Sequence, residues 1–401
     1  MFRDAEIPYG AYWSTPFARW QGSLSHLHSL KFAAHAAKSE LAQREISLAE
    51  IDHGILGMTV PQQQSFYGLP WVTGMMGAEN VAGPTINQAC ATGARTLAAA
   101  THEVSAGLSD TTLILTADRT SNGPHVYYSA PSGPGGTGGH EDVVIDNFNH
   151  DPHARNAMID TAENVAAKYQ ISTEEQHDVV LRRHDQYQDA LANDQAFQKR
   201  FMTLPFEVPD NRFRKTIATL SGDEGVAAVD VEGLAKLRPV KAGGSITFGG
   251  QTHPADGTVG LLVTTEDNAR QYASDTSIRV RLLGFGQSRT EKGYMPQAPV
   301  AAAQRALDDA GLNMAAIDTV KSHNPFAVND IVFSRETGFA LEAMNNYGCS
   351  LIWGHPQGPT GLRTIVELIE ELAVKGGGRG LFQGCAAGDS AMAVVLEVGS
   401  R

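Results

Sequence analysis

The pattern of apolar positions alternates between helical and strand-like spacing along most of the chain. Apolar residues recur every three or four positions over 30–41, 97–106 and 300–310, as they do in amphipathic helices. Short apolar runs typical of buried strands cover 54–60, 112–117, 258–264, 380–384 and 391–397, and another ends at 322. This alternation predicts an α/β protein.

The order of the predicted elements occurs twice. A helix, a short connection and a strand follow one another over 28–55 and again over 298–320. Further along, the sequences ATGART at 91–96 and PTGLRT at 359–364 each open a helix that leads into a strand. Because four elements keep the same order in both places, the sequence predicts two copies of a β-α-β-α-β unit related by internal duplication.

A different kind of sequence separates the two copies. Residues 121–149 are rich in Gly, Pro, Ser and His without a clear period, which predicts a loop. A helical pattern covers 161–190, with Ser172 as a cap within it, and a basic, aromatic cluster follows at 198–215. That cluster is a candidate for phosphate contacts, or equally a solvated surface. The predicted division is an N-terminal half at 1–120, an inserted region at 121–245, a return to the first half at 246–270 and a C-terminal half at 271–401.

Cys90 occupies a position suited to a nucleophile. An apolar approach at 81–86 leads into it, and the helical pattern starts directly behind it, so the cysteine is predicted on a strand-to-helix turn. The unpaired N–H groups and the dipole at a helix N-terminus favour a thiolate over a thiol. The alternative is a small buried hydrophobe, which is the usual role of an isolated cysteine in an apolar context.

Three turns in the second copy carry further chemical groups. The sequence KSHNPFA at 321–327 follows a strand, WGHPQGPTG at 353–361 is predicted as a strand-to-helix turn, and QGCAAGD at 383–389 connects two strands. If the halves are related by a pseudo-twofold axis, the turns at Cys90 and His355 face one another across it. A histidine beside a thiol can take the thiol's proton, so the pair favours the nucleophile interpretation.

Composition and charge narrow the class of partner. At 401 residues the chain exceeds one ordinary core, and a net charge of −13 argues against nucleic acid or an anionic membrane as the main partner. No apolar run approaches the roughly 18 residues that span a bilayer. Three cysteines without a CxxC pair exclude a disulfide framework and a cysteine-based zinc site. The N-terminal residues resemble neither a signal nor a transit peptide, so we expect a cytoplasmic protein without a bound metal.

Together these motifs resemble the thiolase family over nearly the whole chain. NQACATG at 87–93 is similar to its acylated-cysteine motif, GHPQGPTG at 354–361 to its Gly-His-Pro motif, and CAAG at 385–388 to its second-cysteine motif. Residues 158–166 and 234–239 resemble the loop domain that covers coenzyme A (CoA) in that family. The resemblance implies a duplicated, five-layered α/β/α/β/α core with an inserted loop domain.

The resemblance also implies roles for single residues. Cys90 would carry the acyl group as a thioester, with His355 as its base, while Cys385 would move the second proton and His323 would help to bind an oxyanion. The other implied positions are Ala387 and Gly388 for a second oxyanion site, and Met158, Thr252 and Arg214 for CoA. The implied activity is CoA-dependent cleavage of a 3-oxoacyl-CoA or the reverse condensation, with CoA as a co-substrate and no permanently bound cofactor.

The resemblance extends to assembly. It implies a homodimer formed through the Cys90 half, or a dimer of dimers. Some archaeal-type thiolases work with a small zinc-ribbon and OB-fold partner subunit, so such a partner is a further expectation.

Departures from the common family pattern bear on the substrate. His323 replaces the Asn of the common Asn-Glu-Ala-Phe motif, as in the sterol-carrier-type and archaeal-type thiolases. GGQTHPADG at 249–257 puts Thr252 where a serine normally contacts pantetheine, and Ala387 replaces a glycine. Several aromatic residues near predicted loops fit either ordinary packing or a pocket for a bulky acyl group such as that of benzoylsuccinyl-CoA: Tyr9, Tyr12, Trp13, Phe66, Tyr67, Trp71, Tyr127, Tyr128, Phe148 and Trp353.

Two other interpretations stay open. A related condensing enzyme, such as a ketoacyl or hydroxymethylglutaryl-CoA synthase, shares the cysteine and the histidines, but a second cysteine at Cys385 is the mark of a thiolase. A non-catalytic scaffold subunit of the same fold would be favoured by the loss of Cys90 or His355, and both are present.

Overall fold

The computed structural model describes residues 5–401 and contains the duplicated unit that the sequence predicts. Residues 1–4, part of the segment on which the targeting expectation depends, lie outside the described residues. The elements of the first half are β1 (Ala5–Glu6), β2 (Tyr12–Ser14), β3 (Ala18–Arg19), α1 (Ser29–Gln43), β4 (His53–Gly57), α2 (Gly68–Met76), β5 (Thr85–Ile86), α3 (Thr92–Ser105) and β6 (Thr111–Arg119).

The inserted region is more regular than the sequence predicts. Its elements are β7 (His125–Tyr128), β8 (Gly139–Asp142), α4 (Ile145–Asn149), α5 (Met158–Tyr169), α6 (Thr173–Gln195), β9 (Phe206–Pro209), β10 (Thr216–Leu220) and α7 (Val231–Ala235). The prediction of a loop over 121–149 is therefore wrong, because β7 and β8 pair as an antiparallel hairpin and the Gly and Pro residues lie mainly in its turn. The helical pattern over 161–190 is confirmed, and Ser172 caps α6 by accepting a bond from the Glu175 N–H.

The chain then returns to the first half and builds the second. These elements are β11 (Ala255–Thr265), α8 (Glu266–Tyr272), β12 (Ile278–Arg289), α9 (Ala298–Ala310), β13 (Thr319–His323), α10 (Ala327–Thr337), α11 (Ser350–Trp353), α12 (Gly358–Val374), β14 (Gly378–Ala386) and β15 (Ser390–Ser400). The segment before His355 is the helix α11 rather than the predicted strand, so the His355 turn joins two helices.

The strand pairing repeats in the two halves. In the first, β4 runs parallel to β6, and β6 runs antiparallel to β11. In the second, β13 runs parallel to β14, and β14 runs antiparallel to β15. The short strand β1 pairs with both β11 and β12 and so joins the halves edge to edge. Equivalent elements therefore have equivalent neighbours, as internal duplication requires.

The layers follow from which face each strand buries. Along β6, Leu113 and Leu115 face an outer apolar cluster with α1, whereas Ile114 faces the inner cluster that contains α3 and α12. Along β15, Val394 faces the inner cluster and Val395 faces the outer cluster with α9. Strands buried on both faces read as continuous apolar runs. The result is the five-layered α/β/α/β/α arrangement, with α3 and α12 in the middle.

The two central helices cross where the repeated Thr-Gly motif places a glycine in each. A Cβ atom on Gly93 would lie 2.4 Å from the Leu362 backbone nitrogen, and one on Gly361 would lie 3.3 Å from that of Ala94. Glycine lets the helices approach this closely because it has no Cβ. The crossing brings the N-terminal turns of α3 and α12 together, and both turns carry candidate catalytic residues.

No helix among residues 5–401 combines the length and apolar character that crossing a membrane would require.

Candidate active site

Cys90 lies on a tight turn between β5 and α3, as the sequence predicts. The residue before it, Ala89, has a positive φ of 46°. The Thr92 hydroxyl stabilises the turn, since it accepts a bond from the Gln88 N–H at 2.8 Å and donates to the Ala89 carbonyl at 2.7 Å. A non-glycine residue in the left-handed region raises the energy of the backbone, so the turn at Ala89 is strained. Strained turns of this kind often hold a side chain in a fixed direction. Here it aims the partly exposed Cys90 thiol into a cavity.

His355 reaches the thiol from the other half. Its Nε2 lies 3.1 Å from the Cys90 Sγ, and its Nδ1 lies 2.6 Å from the Thr360 Oγ1. In the tautomer in which Nδ1 donates to Thr360, Nε2 has a free lone pair that can accept the thiol's proton. The Gln357 Oε1, 3.6 Å from the Sγ, is a second acceptor for the S–H. The structure therefore brings together the candidate nucleophile and its candidate base, which lie 265 residues apart in the sequence.

His323 lies next to this pair. Its ring stacks on that of His355 with 4.1 Å between centroids, and its Nδ1 lies 2.9 Å from the Ser350 Oγ. The Nε2 of His323 is buried and has no hydrogen-bond partner. A buried ring nitrogen without a hydrogen-bond partner lowers the stability of the fold unless a ligand supplies that partner. The His323 Nε2 is therefore a candidate contact for a bound group.

Cys385 and Ala387 complete the predicted set from the end of β14. Cys385 is fully buried, and the Asn329 Nδ2 lies 3.3 Å from its sulfur. The Ala387 N–H faces the Cys90 sulfur, and Ala387 lines the cavity. Gly388 follows in a left-handed turn with a φ of 78°.

The electrostatics of the site differ from the expectation of a thiolate. Burial raises the pKa of Cys90 to about 11, although the N–H groups of Ala387 and Cys90 itself act in the opposite direction. Burial also lowers the pKa of His355 to about 3 and holds that of His323 well below its usual value. Desolvation therefore outweighs the dipole of the helix behind Cys90. The resting pair consists of a neutral thiol and a neutral imidazole.

A cavity of about 810 Å³ leads to the thiol. Its wall includes Met158 and Thr252, two of the residues implied in CoA binding, and Thr252 is held in place by its backbone N–H bond to the Pro325 carbonyl at 2.8 Å. Arg214 is not brought to this cavity, because it lines a separate hollow beside α1. The larger apolar side chains of the wall, apart from prolines, are those of Val60, Val143, Val144, Phe148, Met158, Ile159, Val240, Phe248, Met295 and Phe326.

The aromatic residues singled out in the sequence do not gather around the cavity. Of the ten, Phe148 alone lines the cavity. Tyr12, Trp13 and Trp353 are buried in the core, and Phe66 is 94% exposed. Two aromatic residues outside that set, Phe248 and Phe326, also line the cavity, and Phe326 belongs to the KSHNPFA segment that carries His323.

Several residues that support the site were missed as functional positions. Gln357 and Thr360 lie within the Gly-His-Pro motif, and Thr360 is the threonine that the PTGLRT repeat shares with ATGART. Ser350 and Asn329 have no comparable sequence signal, because their partners His323 and Cys385 lie 27 and 56 residues away. His253 is the clearest omission, since it lies close enough to contribute to the low pKa of His355.

One group of side chains among residues 5–401 has a geometry suited to a metal ion. The ligand atoms of Cys90, His323 and His355 all lie within 4.8 Å of one another.

Comparison with known proteins places the chain in a family. Residues 11–267 match the family model for the thiolase N-terminal domain, and residues 276–398 match that for the thiolase C-terminal domain. Acetyl-CoA acetyltransferase 2 of Arabidopsis thaliana is 27% identical over 392 residues, which cover 96% of this chain and 95% of that protein. Beta-ketothiolase BktB of Cupriavidus necator is 25% identical, with coverage of 99% and 100%.

Solved structures give the same result. The crystal structure of human mitochondrial 3-ketoacyl-CoA thiolase has a TM-score of 0.89 and 26% identity, with each chain covered completely. The structure of that human enzyme in complex with CoA has a TM-score of 0.88, with coverage of 99% of this chain and 98% of the other. Because both family models match and together span nearly the whole chain, the protein belongs to the thiolase family of acyltransferases.

Proposed function

We propose that this thiolase forms an acyl-thioester on Cys90 and that His355 is the base that activates the sulfur. The observation that carries the proposal is the 3.1 Å contact between the Cys90 Sγ and the His355 Nε2. A nucleophile within hydrogen-bond reach of a base, with the base oriented by a third group, is the arrangement used in covalent catalysis. Thr360 is that third group.

The neutral state of the pair defines the path of the proton. As the sulfur attacks the thioester carbonyl of an acyl-CoA, the thiol's proton passes to the His355 Nε2. Burial makes the resulting imidazolium a strong acid, since the pKa of His355 is lowered to about 3. It therefore gives the proton to the departing CoA thiolate. The products are acyl-Cys90 and free CoA, and no charge remains in the buried site.

The second half-reaction uses a second thiol that lies close to Cys90. We assign Cys385, held by Asn329, as the group that takes the proton from the CoA thiol in cleavage or from the α-carbon in condensation. The Ala387 and Cys90 N–H groups, which face the sulfur, would bind one oxyanion, with Gly388 shaping their turn. His323 and His355 would bind the other.

The cavity supports an apolar acyl group together with the pantetheine arm of CoA. Met158 and Thr252 would contact the arm. Arg214 is not included, because it lies in a different hollow. The volume of about 810 Å³ and the wall formed by Val144, Phe148 and Met295 support an acyl group larger than acetyl. An aryl group such as that of benzoylsuccinyl-CoA is one member of this class.

Intact-protein mass after incubation with acyl-CoAs tests the proposal. The panel contains acetyl-, medium-chain, branched and benzoyl-CoA, and the variants are Cys90→Ala and Cys349→Ala. We expect an acyl adduct on the wild type and on Cys349→Ala, absent from Cys90→Ala, and released by free CoA. An adduct that persists in Cys90→Ala would contradict the assignment of the nucleophile.

Absence of an adduct in the folded wild-type chain would favour the expected zinc-ribbon and OB-fold partner, or the scaffold interpretation. Repeating the incubation with co-purified partners separates these two, because only the first predicts that an adduct then appears. Decarboxylation of a malonyl thioester without thiolysis would favour the condensing-enzyme alternative.

We also propose a homodimer formed through the Cys90 half. Exposed aromatic side chains support it, since Phe66 and Tyr67 of the first half are 94% and 68% exposed and Tyr127 and Tyr128 of the hairpin are 81% and 54% exposed. Light scattering during size-exclusion chromatography measures the state directly. A monomer at micromolar concentration would contradict the proposal, and a tetramer would support a dimer of dimers.

A further inference from the structure

We propose that Cys90, His323 and His355 also form a binding site for one thiophilic divalent cation, Zn²⁺ above all, which inactivates the enzyme reversibly by occupying its nucleophile. The site differs from a permanent metal centre, because the same sulfur must be free for acyl transfer. It also differs from the cysteine-based zinc site that the missing CxxC pair excludes, because it uses one cysteine and two histidines. Binding of the ion to these three side chains does not depend on the acyl-enzyme proposal, whereas its inactivating effect rests on Cys90 being the nucleophile.

The first support is the spacing of the three ligand atoms. They come from two turns and from the end of β13, and they lie within 4.8 Å of one another. In a tetrahedral zinc site with Zn–S of about 2.3 Å and Zn–N of about 2.0 Å, donor atoms are roughly 3.3 to 3.6 Å apart. The Cys90 Sγ and His355 Nε2 are 3.1 Å apart, so this pair would separate by about half an ångström to accommodate the ion. The His323 ring, which stacks on that of His355, would tilt to direct its nitrogen at the same ion.

The second support is independent of spacing. The His323 Nε2 is completely buried and has no hydrogen-bond partner, and the ring itself is 0% exposed. An ion bound between His323, His355 and Cys90 would supply the partner that this nitrogen lacks. The His323 Nε2, which has no partner within the protein chain, is therefore available as a metal ligand.

The third support is that each histidine ring is oriented by a hydrogen bond at its other ring nitrogen. Metal-binding histidines usually hold their second ring nitrogen in a hydrogen bond that orients the ring. His355 bonds through Nδ1 to Thr360, and His323 bonds through Nδ1 to Ser350. Both rings consequently present Nε2 toward the sulfur.

The Ser350 hydroxyl lets His323 serve two functions. It has one proton and two acceptors, the His323 Nδ1 at 2.9 Å and the Asn324 Oδ1 at 3.2 Å. When the proton points to His323, the Nε2 carries hydrogen and can donate to an oxyanion. When it points to Asn324, the His323 Nδ1 donates to Ser350 and the Nε2 has a lone pair for a metal. A change of the His323 tautomer, accompanied by one hydroxyl rotation of Ser350, thus separates the catalytic from the metal-binding form.

The chemistry of the donor set selects the ion. One thiolate and two neutral imidazoles suit Zn²⁺ better than Mg²⁺ or Ca²⁺, which require oxygen ligands. The Cys90 thiol would lose its proton to solvent as the Zn–S bond forms, and no electrons are transferred. Three protein ligands leave the fourth position open toward the cavity, where water or a free thiol can bind and later help to release the ion.

Cobalt binding tests the site without measuring activity. The full chain is titrated with Co²⁺, whose thiolate complexes absorb in the near ultraviolet, and Zn²⁺ affinity is obtained by displacement. We expect one cobalt per chain with a sulfur-to-cobalt band that is lost in Cys90→Ala. Since loss of an orienting residue alone weakens metal binding about 10- to 100-fold, loss of a ligand in His323→Asn should weaken it at least about 100-fold.

Two matched variants exclude other sites. His125 and His140 on the β7–β8 hairpin have ring nitrogens 3.0 Å apart and form an alternative surface pair, which His140→Asn removes. Cys349 is a second buried thiol, which Cys349→Ala removes. Both variants should retain wild-type metal affinity. A band that survives Cys90→Ala, or an affinity unchanged in His323→Asn, would overturn the proposal, as would no binding at micromolar Co²⁺ or Zn²⁺.

The inactivating effect has its own readout. Zn²⁺ should block iodoacetamide labelling of Cys90, and a chelator should restore it in full. Labelling that proceeds at the same rate with the ion bound would overturn this part. Failure of the acyl-enzyme experiment in metal-free protein would leave the cobalt result unaffected, so the two proposals fail separately.

Discussion

The Cys90 turn and the His355 turn are equivalent parts of the two halves, and they have diverged at the positions to which we assign the chemistry. Aligning ATGART with PTGLRT pairs Ala89 with Gln357 and Cys90 with Gly358. Ala89 and Gln357 both have positive φ, 46° and 65°. The duplicated backbone therefore carries the same strained turn twice, whichever side chains it bears.

The position of the nucleophile shows the divergence most clearly. Gly358, the equivalent of Cys90, donates its N–H to Asp118 at 2.8 Å, and a Cβ there would lie 2.8 Å from the same carboxylate oxygen. The second half thus cannot hold a side chain where the first half holds its thiol. Instead, the His355 ring enters from three residues earlier and faces the thiol of the other copy.

The shared threonine shows how one contact acquires a different role. Thr92 bonds only to the backbone of its own turn. Thr360, its equivalent, lies 2.6 Å from the His355 Nδ1. Duplication supplied a hydroxyl at the start of each central helix, and in the second half that hydroxyl orients a base. The duplicated fold thus provides paired positions, and the proposed chemistry lies where the two members of a pair no longer match.

The largest expected effect tests the protonation state of the Cys90 thiol, which lies between the two turns. With its pKa raised to about 11, Cys90 is a neutral thiol below pH 10, so its thiolate fraction rises about tenfold per pH unit. We expect the rate of iodoacetamide labelling to increase about 1000-fold from pH 6.5 to 9.5, measured by mass on metal-free wild type against Cys90→Ser. A rate that reaches a plateau near neutral pH would mean that His355 already holds the proton.

The next effect tests the crossing of the two central helices. A Cβ on Gly93 meets backbone at 2.4 Å, whereas one on Gly361 meets backbone at 3.3 Å. Gly93→Ala should therefore destabilise the fold by about 3 kcal/mol, and Gly361→Ala by less than about 1 kcal/mol, as measured by urea unfolding. Equal losses in the two variants would show that the halves pack symmetrically here, contrary to the structure.

The smallest effect tests the divergent threonine. Thr360→Val removes the group that orients His355, so kcat should fall about 10- to 100-fold and Thr360→Ser should restore most of it. Thr364→Val is the matched control, since that hydroxyl bonds to the Thr360 carbonyl one turn further on and does not contact His355. If Thr364→Val lowers kcat as much as Thr360→Val, the threonine supports the helix rather than the base.

Sequence patterns were most informative where the structure is local or repeated. The helices α1 and α9, the strands β6 and β15 and the turn at Cys90 follow from apolar periodicity and from the ATGART repeat. The hairpin at β7–β8 was missed, because its pairing joins residues on either side of a Gly-rich turn and leaves no apolar alternation. The placement of Arg214 in a different hollow from Met158 likewise depends on how the inserted region folds back.

What the residues alone establish is the duplicated α/β architecture and the identity of the reactive groups, because periodicity and motif spacing are properties of the chain itself. Their protonation depends on the tertiary structure. A helix N-terminus favours a thiolate, yet burial between two halves raises the pKa of Cys90 and lowers that of His355. The lack of a partner at the His323 Nε2 and the hydrogen bond between His323 and Ser350 likewise arise only when distant segments come together. Desolvation is a property of everything packed around a group, and no local sequence window contains it.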